Sequence, residues 1–582
     1  MSVCSRAGRR ARCLFLVFAF SVGIAALCAA QSPAPRSTPG TWVGSPIVTT
    51  RYGDIQGHLD SEETWLWAAI PFARPPVGEL RWRAPQDPLP WKGVRDVRAF
   101  NTGCTQFSPV VMGNVFGSED CLYLNVWRPR DAAKGLPVYV WIHGGSNATG
   151  SATFLPDYYG TGIASRSHMV FVSMNYRLGP FGWFSSPAIR GQASPADASG
   201  NYGTLDIIKA LQWTRDNIAA FGGDPANVTI TGDSAGGLNV LSLLIAAPAK
   251  GLFRRAMSES GGAITYGIPE ADAVSQHVLD RLVLPDAGSQ VGGELPDVAA
   301  AALSRERELA YLRSKSDRDI LRCFDEASPG LIDNPSIIRD GAVIPREGFD
   351  VFASGNYPNK VPLIIGSNKD EMKLFLFLSS GIAPSSALYD AIARYGSDLW
   401  KASGVDEVAR RLSRHPDQPS VFAYQFRWGS PDPAGKSVLP GGWGHSLGAF
   451  HSEEVPFFLG TDTLDVMLHI ILFTPENQTA RKALSTAMMA YAANFARNGD
   501  PNPSGGLLPK WAPWENKPGA GKCIVFDVQG EIRAITMMNT ELTTDGVLAA
   551  LRSNLPEPVR TQTLQFLKAS KLPAGIRNHP DR

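Results

Sequence analysis

Runs of consecutive apolar residues recur along the chain and predict buried strands. Four of them read VYVWIHGG (138–145), MVFVSMNY (169–176), VTITGDSAGG (228–237) and VPLIIGSN (361–368). A strand with one face in water alternates apolar and polar residues, whereas these runs are apolar at successive positions. This pattern is typical of strands in a parallel sheet with both faces covered.

Stretches with helical periodicity lie between these runs. Leu205, Ile208 and Leu211 are near helical spacing within residues 204–221, and an apolar helical stretch at 237–247 directly follows the third run. Strands that alternate with helices indicate an α/β class with a large, mostly parallel central sheet. Because no repeat or Gly/Ser-rich boundary divides the chain, we expect one large domain over 45–560, with helical insertions or a cap near 270–330 and 380–415.

The first residues predict an export signal. Arg6, Arg9, Arg10 and Arg12 precede an uncharged apolar run over 13–27, which a small-residue segment follows. This order is typical of a secretory signal peptide, here residues 1–30, and the run is short for a membrane span. A retained anchor is the weaker alternative. We therefore expect a secreted or periplasmic protein without stable membrane insertion.

The two ends of the mature chain are predicted to be loosely held. Residues 31–44 are rich in Pro, Ser and Thr and are interpreted as a flexible linker, and residues 561–582 as a basic C-terminal tail.

Composition excludes several classes of partner. The 55 basic and 54 acidic residues give a net charge of +1, so nothing favours nucleic acid or an anionic membrane as the main partner. No CxxC or HExxH pattern and no GxxxxGK or GxGxxG loop occurs, so we expect no metal and no cofactor. Of seven cysteines, four lie outside the signal segment and can form disulfides in an exported protein: Cys104, Cys121, Cys323 and Cys523.

The third apolar run ends in a candidate nucleophile. Residues 232–236 read GDSAG, which matches G-x-S-x-G between a predicted strand and a predicted helix. A tight structural turn is the alternative interpretation. In a nucleophile elbow the glycines permit a strained turn that exposes the Ser234 hydroxyl, and the helix N-terminus places N–H groups near developing negative charge.

A nucleophilic serine requires a histidine base and an orienting carboxylate. On this type of sheet the order is serine, acid, histidine, which excludes His58, His143 and His168. Asp370 and Glu371 follow the fourth apolar run, at the sheet edge where ligands bind. A glycine-rich loop, WIHGGS (141–146), follows an earlier strand and could supply oxyanion donors.

Eight segments in order resemble one known family, over about residues 47 to 545. The chain is similar to the type-B carboxylesterases, which include the cholinesterases, within the α/β-hydrolase fold. The segments are AAIPFARPPVGELRW (68–82), SEDCLYLNVW (118–127), WIHGG (141–145), NYRLGPFGWF (175–184), FGGDPANVTITGDSAGG (221–237), GSNKDE (366–371), FHSEEVPFFLG (450–460) and NFARNGDPNP (494–503).

The resemblance implies a complete site. The nucleophile falls on Ser234, the triad acid on Glu371 and the base on His451 rather than on His445 in the same loop. The resemblance also places the oxyanion donors on the N–H groups of Gly145, Ser146 and Ala235. It further implies a Cys104–Cys121 disulfide, free thiols at Cys323 and Cys523, and ion pairs of Arg81 with Glu119 and of Arg177 with Asp206.

The chain departs from the family pattern near the expected site. Ser146 replaces a third glycine, Asn147 replaces an aromatic residue, and Asp233 stands where many relatives have glutamate. Ser452 replaces a small residue that often follows the histidine. No tryptophan lies between Cys104 and Cys121, where cholinesterase-like enzymes hold a choline cation.

The leading hypothesis is a serine carboxylesterase that hydrolyses small-molecule esters through an acyl-enzyme. An amidase or peptidase with the same triad is one alternative. A catalytically inactive, cholinesterase-like adhesion protein is another. The sequence defines neither the physiological ester nor the oligomeric state.

Overall fold

A large central sheet organises the molecule. The computed structural model describes residues 37–570 except 62, 193, 288–304, 329, 380, 464–465 and 531. Within those residues the sheet has eleven strands: β1 His58–Ser61, β2 Thr64–Pro71, β3 Tyr123–Pro129, β4 Leu136–Ile142, β5 Val170–Met174, β6 Gly223–Asp233, β7 Arg255–Glu259, β8 Leu363–Asn368, β9 Val421–Phe426, β10 Cys523–Gln529 and β11 Ile532–Met538.

The centre of the sheet is parallel and its edges are antiparallel. The strand order is β11-β10-β9-β8-β7-β6-β4-β5-β3-β2-β1. Every neighbouring pair from β10 to β5 is parallel, whereas β11 and the strands from β3 to β1 pair antiparallel. The four apolar runs correspond to β4, β5, β6 and β8, so the predicted fold class is confirmed.

Helices cover both faces of the sheet and explain the uniform hydrophobicity of its strands. All residues of β4, β8 and β9 are buried, because each strand packs against helices on both sides. The α-helices of the described chain are Thr161–Ser167, Gly179–Gly182, Pro187–Arg190, Tyr202–Asn217, Ala235–Ile245, Ile268–Ala287, Arg305–Ser314, Asp317–Leu321, Val351–Ser354, Glu371–Ser379, Ala387–Lys401, Glu407–Leu412, Trp443–Ser446, Val455–Leu459, Val466–Leu472, Pro475–Asn498, Thr544–Asn554 and Val559–Ala569.

The described part of the predicted linker, residues 37–44, contacts the domain through Trp42. Trp42 is 1% exposed, and its indole N–H donates to the Asp131 carbonyl at 2.9 Å. The Arg128 guanidinium lies 4.1 Å from the Trp42 ring centroid. A buried tryptophan anchors this segment, so the folded domain begins before residue 45. The predicted signal peptide lies outside the described residues.

The predicted C-terminal tail also differs from the structure. Residues Val559–Ala569 form a helix that packs against the helix Ala387–Lys401. Thr563 and Leu567 on this helix have no exposed surface. Its apolar positions were too sparse to indicate this packing from sequence, and the folded domain extends past residue 560. Residues 571–582 lie outside the described part.

Covalent and ionic links reinforce the domain. A disulfide joins Cys104 to Cys121, whereas Cys323 and Cys523 are free and buried. The guanidinium of Arg81 lies 2.5 Å from the Glu119 carboxylate, and that of Arg177 lies 2.7 Å from Asp206. Burial raises the pKa of the Cys323 thiol to about 11, which keeps it protonated and unreactive at neutral pH.

Candidate active site

Ser234 stands on a strained turn between β6 and the helix Ala235–Ile245. Its φ of 59° and ψ of −121° lie outside the regions that ordinary residues occupy. A Cβ at Gly232 would lie 2.5 Å from the Ile142 carbonyl oxygen, and one at Gly236 would overlap the same oxygen. Glycine is therefore required on both sides, and the turn leaves Ser234 partly exposed.

Glu371 and His451 form a buried pair although 80 positions separate them in sequence. The Nδ1 atom of His451 lies 2.5 Å from Oε2 of Glu371. The other carboxylate oxygen accepts the Asn368 backbone N–H at 2.7 Å. His451 is 4% exposed and Glu371 is fully buried. The carboxylate therefore fixes the orientation of the imidazole and favours the tautomer with the proton on Nδ1.

The second ring nitrogen of His451 is available for chemistry. Nε2 is buried and has no hydrogen-bond partner among the described residues. The ring centroid lies 4.9 Å from that of Trp400 and 5.1 Å from that of Phe375, so aromatic side chains enclose it. No hydrogen bond joins Nε2 to Ser234.

Electrostatics make His451 a stronger base than a free histidine. Burial disfavours the imidazolium and by itself lowers the pKa of His451. The Glu371 carboxylate outweighs burial, with contributions from Asp233 and Glu454, and raises the pKa to about 9. The imidazolium that forms when the base accepts a proton is thereby stabilised.

The alternative acid and base lie elsewhere. Nε2 of His445 lies 2.8 Å from the Pro384 carbonyl oxygen, and the His445 side chain is 51% exposed. Asp370 pairs with the Lys373 ammonium at 3.1 Å and accepts the Ala449 backbone N–H. Of the residues that the family resemblance implied, the structure pairs Glu371 with His451.

The glycine-rich loop after β4 presents backbone N–H groups. Gly145, Ser146 and Asn147 all have positive φ, at 106°, 57° and 57°. The N–H groups of Gly145, Ser146 and Ala235 donate no hydrogen bond to any described residue, and they remain available to an oxyanion. The positive φ at position 146 explains why glycine, which the family pattern has there, suits this position. The Ser146 side chain is exposed.

Asn147 serves as a buried polar link. Its amide oxygen accepts from Asn239 at 2.8 Å, and its amide nitrogen donates to Ser336 at 3.2 Å. The first bond connects the glycine-rich loop to the helix that follows Ser234, and the second connects it to the segment that contains Ser336. Asn147, at the position where the resemblance implied an aromatic residue, is therefore held by two hydrogen bonds.

Sequence reasoning missed a group of buried carboxyl groups near the pair. Asp233, Glu259, Glu453 and Glu454 have no exposed surface. Burial, followed by the charges of Asp233 and Glu371, raises the pKa of Glu454 to about 8. Burial likewise raises the pKa values of Glu259 and Glu453. The available signal was their position beside the motif residues, Asp233 before the serine and Glu453 and Glu454 after the histidine.

The described residues contain no group of His, Cys, Asp or Glu side chains that could hold a metal ion. Within the same residues no helix combines the length and hydrophobicity needed to span a bilayer.

The comparisons with known proteins agree with this geometry. The family model described as the carboxylesterase family matches residues 44–387 and 378–536. The chain belongs to the carboxylesterase family. Among carboxylesterases, the chain is similar to the para-nitrobenzyl esterase of Bacillus subtilis (strain 168), with 31% identity over 488 residues that cover 78% of the chain and 90% of that protein. It is also similar to carboxylesterase 1D of Rattus norvegicus, with 32% identity over 527 residues that cover 81% and 88%.

Solved carboxylesterase structures share the fold. A structure of a Geobacillus stearothermophilus carboxylesterase superposes with a TM-score of 0.65 and 29% identity, over 84% of the chain and 97% of that structure. A para-nitrobenzyl esterase structure superposes with a TM-score of 0.64 and 28% identity, over 85% and 98%. The resemblance stated from sequence is confirmed, and the chain is a carboxylic ester hydrolase.

Proposed function

We propose that this carboxylesterase hydrolyses small-molecule esters with Ser234 as nucleophile, His451 as general base and Glu371 as the residue that orients the base. One observation carries the proposal: the buried Glu371 carboxylate holds Nδ1 of His451 at 2.5 Å and leaves Nε2 without a partner. A histidine held in this way can accept a proton at Nε2 and return it.

The reaction proceeds in two halves. Nε2 of His451 takes the hydroxyl proton as Ser234 Oγ forms a bond to the ester carbonyl carbon, and the carbonyl oxygen becomes an oxyanion. The N–H groups of Gly145, Ser146 and Ala235 stabilise that charge. The ester C–O bond breaks, and the imidazolium protonates the departing alcohol. Water then attacks the acyl-enzyme, His451 takes its proton, and the carboxylic acid leaves as Ser234 recovers its hydrogen.

The substrate class follows from the relatives. The name of the Bacillus subtilis protein specifies a para-nitrobenzyl ester, and we propose that uncharged esters of this size are suitable first substrates. An amidase would use the same groups. Matched ester and amide substrates with one acyl group distinguish the two, and we expect the ester to react faster.

We also propose that the enzyme is exported. The basic and apolar pattern of residues 1–30 supports this, and so does the Cys104–Cys121 disulfide, because disulfides persist in oxidising compartments. Fractionation of cells that express the full chain, with N-terminal sequencing of the product, tests this proposal. A product that keeps residues 1–30 in the cytoplasm contradicts it.

The decisive experiment removes the nucleophile. S234A should lose ester hydrolysis by several powers of ten while it retains the wild-type melting temperature, because oxyanion donors and binding cannot replace the nucleophile. A fluorophosphonate probe should label wild type at Ser234, as peptide mapping by mass spectrometry can check. Normal turnover by folded S234A would contradict the proposal.

A further inference from the structure

Two departures from the family pattern contact each other beside the catalytic residues. Asp233 precedes Ser234, and Ser452 follows His451. The Ser452 hydroxyl donates to Oδ2 of Asp233 at 2.5 Å, across 219 positions of sequence. Asp233 has no exposed surface, and no other described side chain donates a hydrogen bond to it. The hydrogen bond therefore connects the nucleophile segment directly to the base segment.

The backbone at Ser452 does not favour a serine. Its φ of 71° lies in the left-handed region, which glycine adopts without cost and other residues rarely adopt. A side chain at this position is therefore not explained by local conformation. The hydrogen bond to Asp233 gives the hydroxyl a specific partner that glycine cannot supply.

Asp233 lies beside the glycine-rich loop, beside His451 and near several other buried titratable groups. A Cβ built on Gly144 would lie 3.5 Å from its Oδ2, so the carboxylate adjoins the glycine-rich loop. Its charge raises the pKa of His451. The other titratable groups that interact with Asp233 come from neighbouring strands and loops: Tyr158, Glu259, Glu371, Tyr424 and Glu454.

We propose that Ser452 and Asp233 are a matched positioning pair. The Ser452 hydroxyl holds the Asp233 carboxylate beside His451, in addition to the carboxylate of Glu371, and the side chain of aspartate has the length needed to reach this hydroxyl. The inference rests on the proposed function, because the pair acts through the general base. Neither residue touches the reacting atoms.

The hydrogen bond also controls the charge of Asp233. Burial raises the pKa of Asp233 to about 6, against the opposing effects of His451 and the Ser452 hydrogen bond. Loss of the hydroxyl removes one effect that favours the anion, so the pKa of Asp233 rises and the group keeps its proton at higher pH. Without the hydroxyl that holds it, the Asp233 carboxylate is also free to turn away from His451, and His451 then loses its proton at a lower pH.

S452G is the main test, because glycine suits the backbone at this position and the variant should fold. The acid limb of kcat/KM against pH should move to lower pH by about half a unit. D233N, which removes the charge entirely, should move it in the same direction by about one unit. The double variant should show no further movement beyond D233N, since the hydroxyl acts only through the carboxylate.

S260A is a matched control. Ser260 also has a positive φ, at 49°, and its hydroxyl donates to the buried Glu454 carboxyl group at 2.8 Å. The charge of Glu454 raises the pKa of His451 less than the charge of Asp233 does. Loss of the Ser260 hydroxyl should therefore move the acid limb less than S452G does.

A second pair of variants tests the match in length. D233E adds one methylene group and pushes the carboxylate into the Ser452 hydroxyl, so kcat/KM should fall by about tenfold or more. The same substitution in the S452G background has room for the longer side chain and should cost less. A larger loss in the S452G background would show that the two residues are not matched.

The outcomes separate this inference from the proposed function. An acid limb that stays in place in S452G, or that moves equally in S260A, overturns the positioning pair while leaving the esterase intact. A wild-type enzyme that neither hydrolyses esters nor reacts with a fluorophosphonate overturns the proposed function. The rate at which a fluorophosphonate labels Ser234 should also rise with pH, and its acid limb should follow the same order in wild type, S452G and D233N. This measurement does not depend on the choice of ester.

Discussion

Replacement of Glu371 by glutamine removes the charge that sets the basicity of His451. The carboxylate lies 2.5 Å from Nδ1 and is the largest contribution that raises the pKa of His451 from 6.5 to about 9. That difference corresponds to about 3 kcal/mol in favour of the imidazolium. In E371Q burial still disfavours the imidazolium, and only the weaker effects of Asp233 and Glu454 oppose it.

Only the neutral imidazole accepts the serine proton, so kcat/KM rises with pH as His451 loses its proton. We expect the wild-type acid limb above pH 6.5, and we expect it about 2 pH units lower in E371Q. The glutamine amide does not enforce the tautomer with hydrogen on Nδ1. The limiting kcat should therefore fall by about 10³ to 10⁴, as in serine proteases that lose the corresponding charge.

A pH-stat assay between pH 5 and 10 on an uncharged ester measures both quantities, because it records the acid product directly. D370N is the matched control, since Asp370 is the adjacent residue but pairs with Lys373 instead of His451. Its acid limb should stay at the wild-type position. An E371Q limb that stays in place or moves to higher pH would refute the assignment of Glu371 as the carboxylate that sets the base.

Three further predictions concern the base, the alcohol site and stability. H451A should lose several powers of ten in kcat, whereas H445A should lose little, because the native His445 side chain is half exposed. An inactive H445A variant together with an active H451A variant would show that His451 is not the base. Butyrylcholine should not be preferred over its uncharged isosteric ester, because no tryptophan lies between Cys104 and Cys121, and a large advantage for the cation would reveal another aromatic site. Burial and neighbouring charges raise the pKa of Glu454 to about 8, and the Glu371 charge overcomes burial to raise that of His451 to about 9. The native state therefore binds these protons more tightly than the unfolded chain, and urea denaturation should show stability falling as pH rises from about 6 to about 9; a rise over this range would contradict the direction of the shifts.

Local sequence signals were sufficient for the strands and the nucleophile. Consecutive apolar residues predicted β4, β5, β6 and β8, because a strand covered on both faces has no polar face. The elbow around Ser234 could be predicted from sequence because close contacts require glycine at positions 232 and 236. These contacts are made within the turn and with one neighbouring strand. These features depend on periodicity and on backbone sterics, which a short stretch of sequence records.

The site and the domain ends depended on contacts between distant residues. From the residues alone, Asp370 and Glu371 were equivalent candidates, and only the tertiary structure directs one to His451 and the other to Lys373. The burial of Trp42 by Arg128 and of Leu567 by a distant helix corrected both predicted boundaries. The raised pKa of His451, and the hydrogen bond from Ser452 to Asp233, likewise require groups from distant segments of the chain to lie together in one buried site. A sequence records which side chains are present, but burial and charge interactions depend on distances in space, which only the folded chain determines.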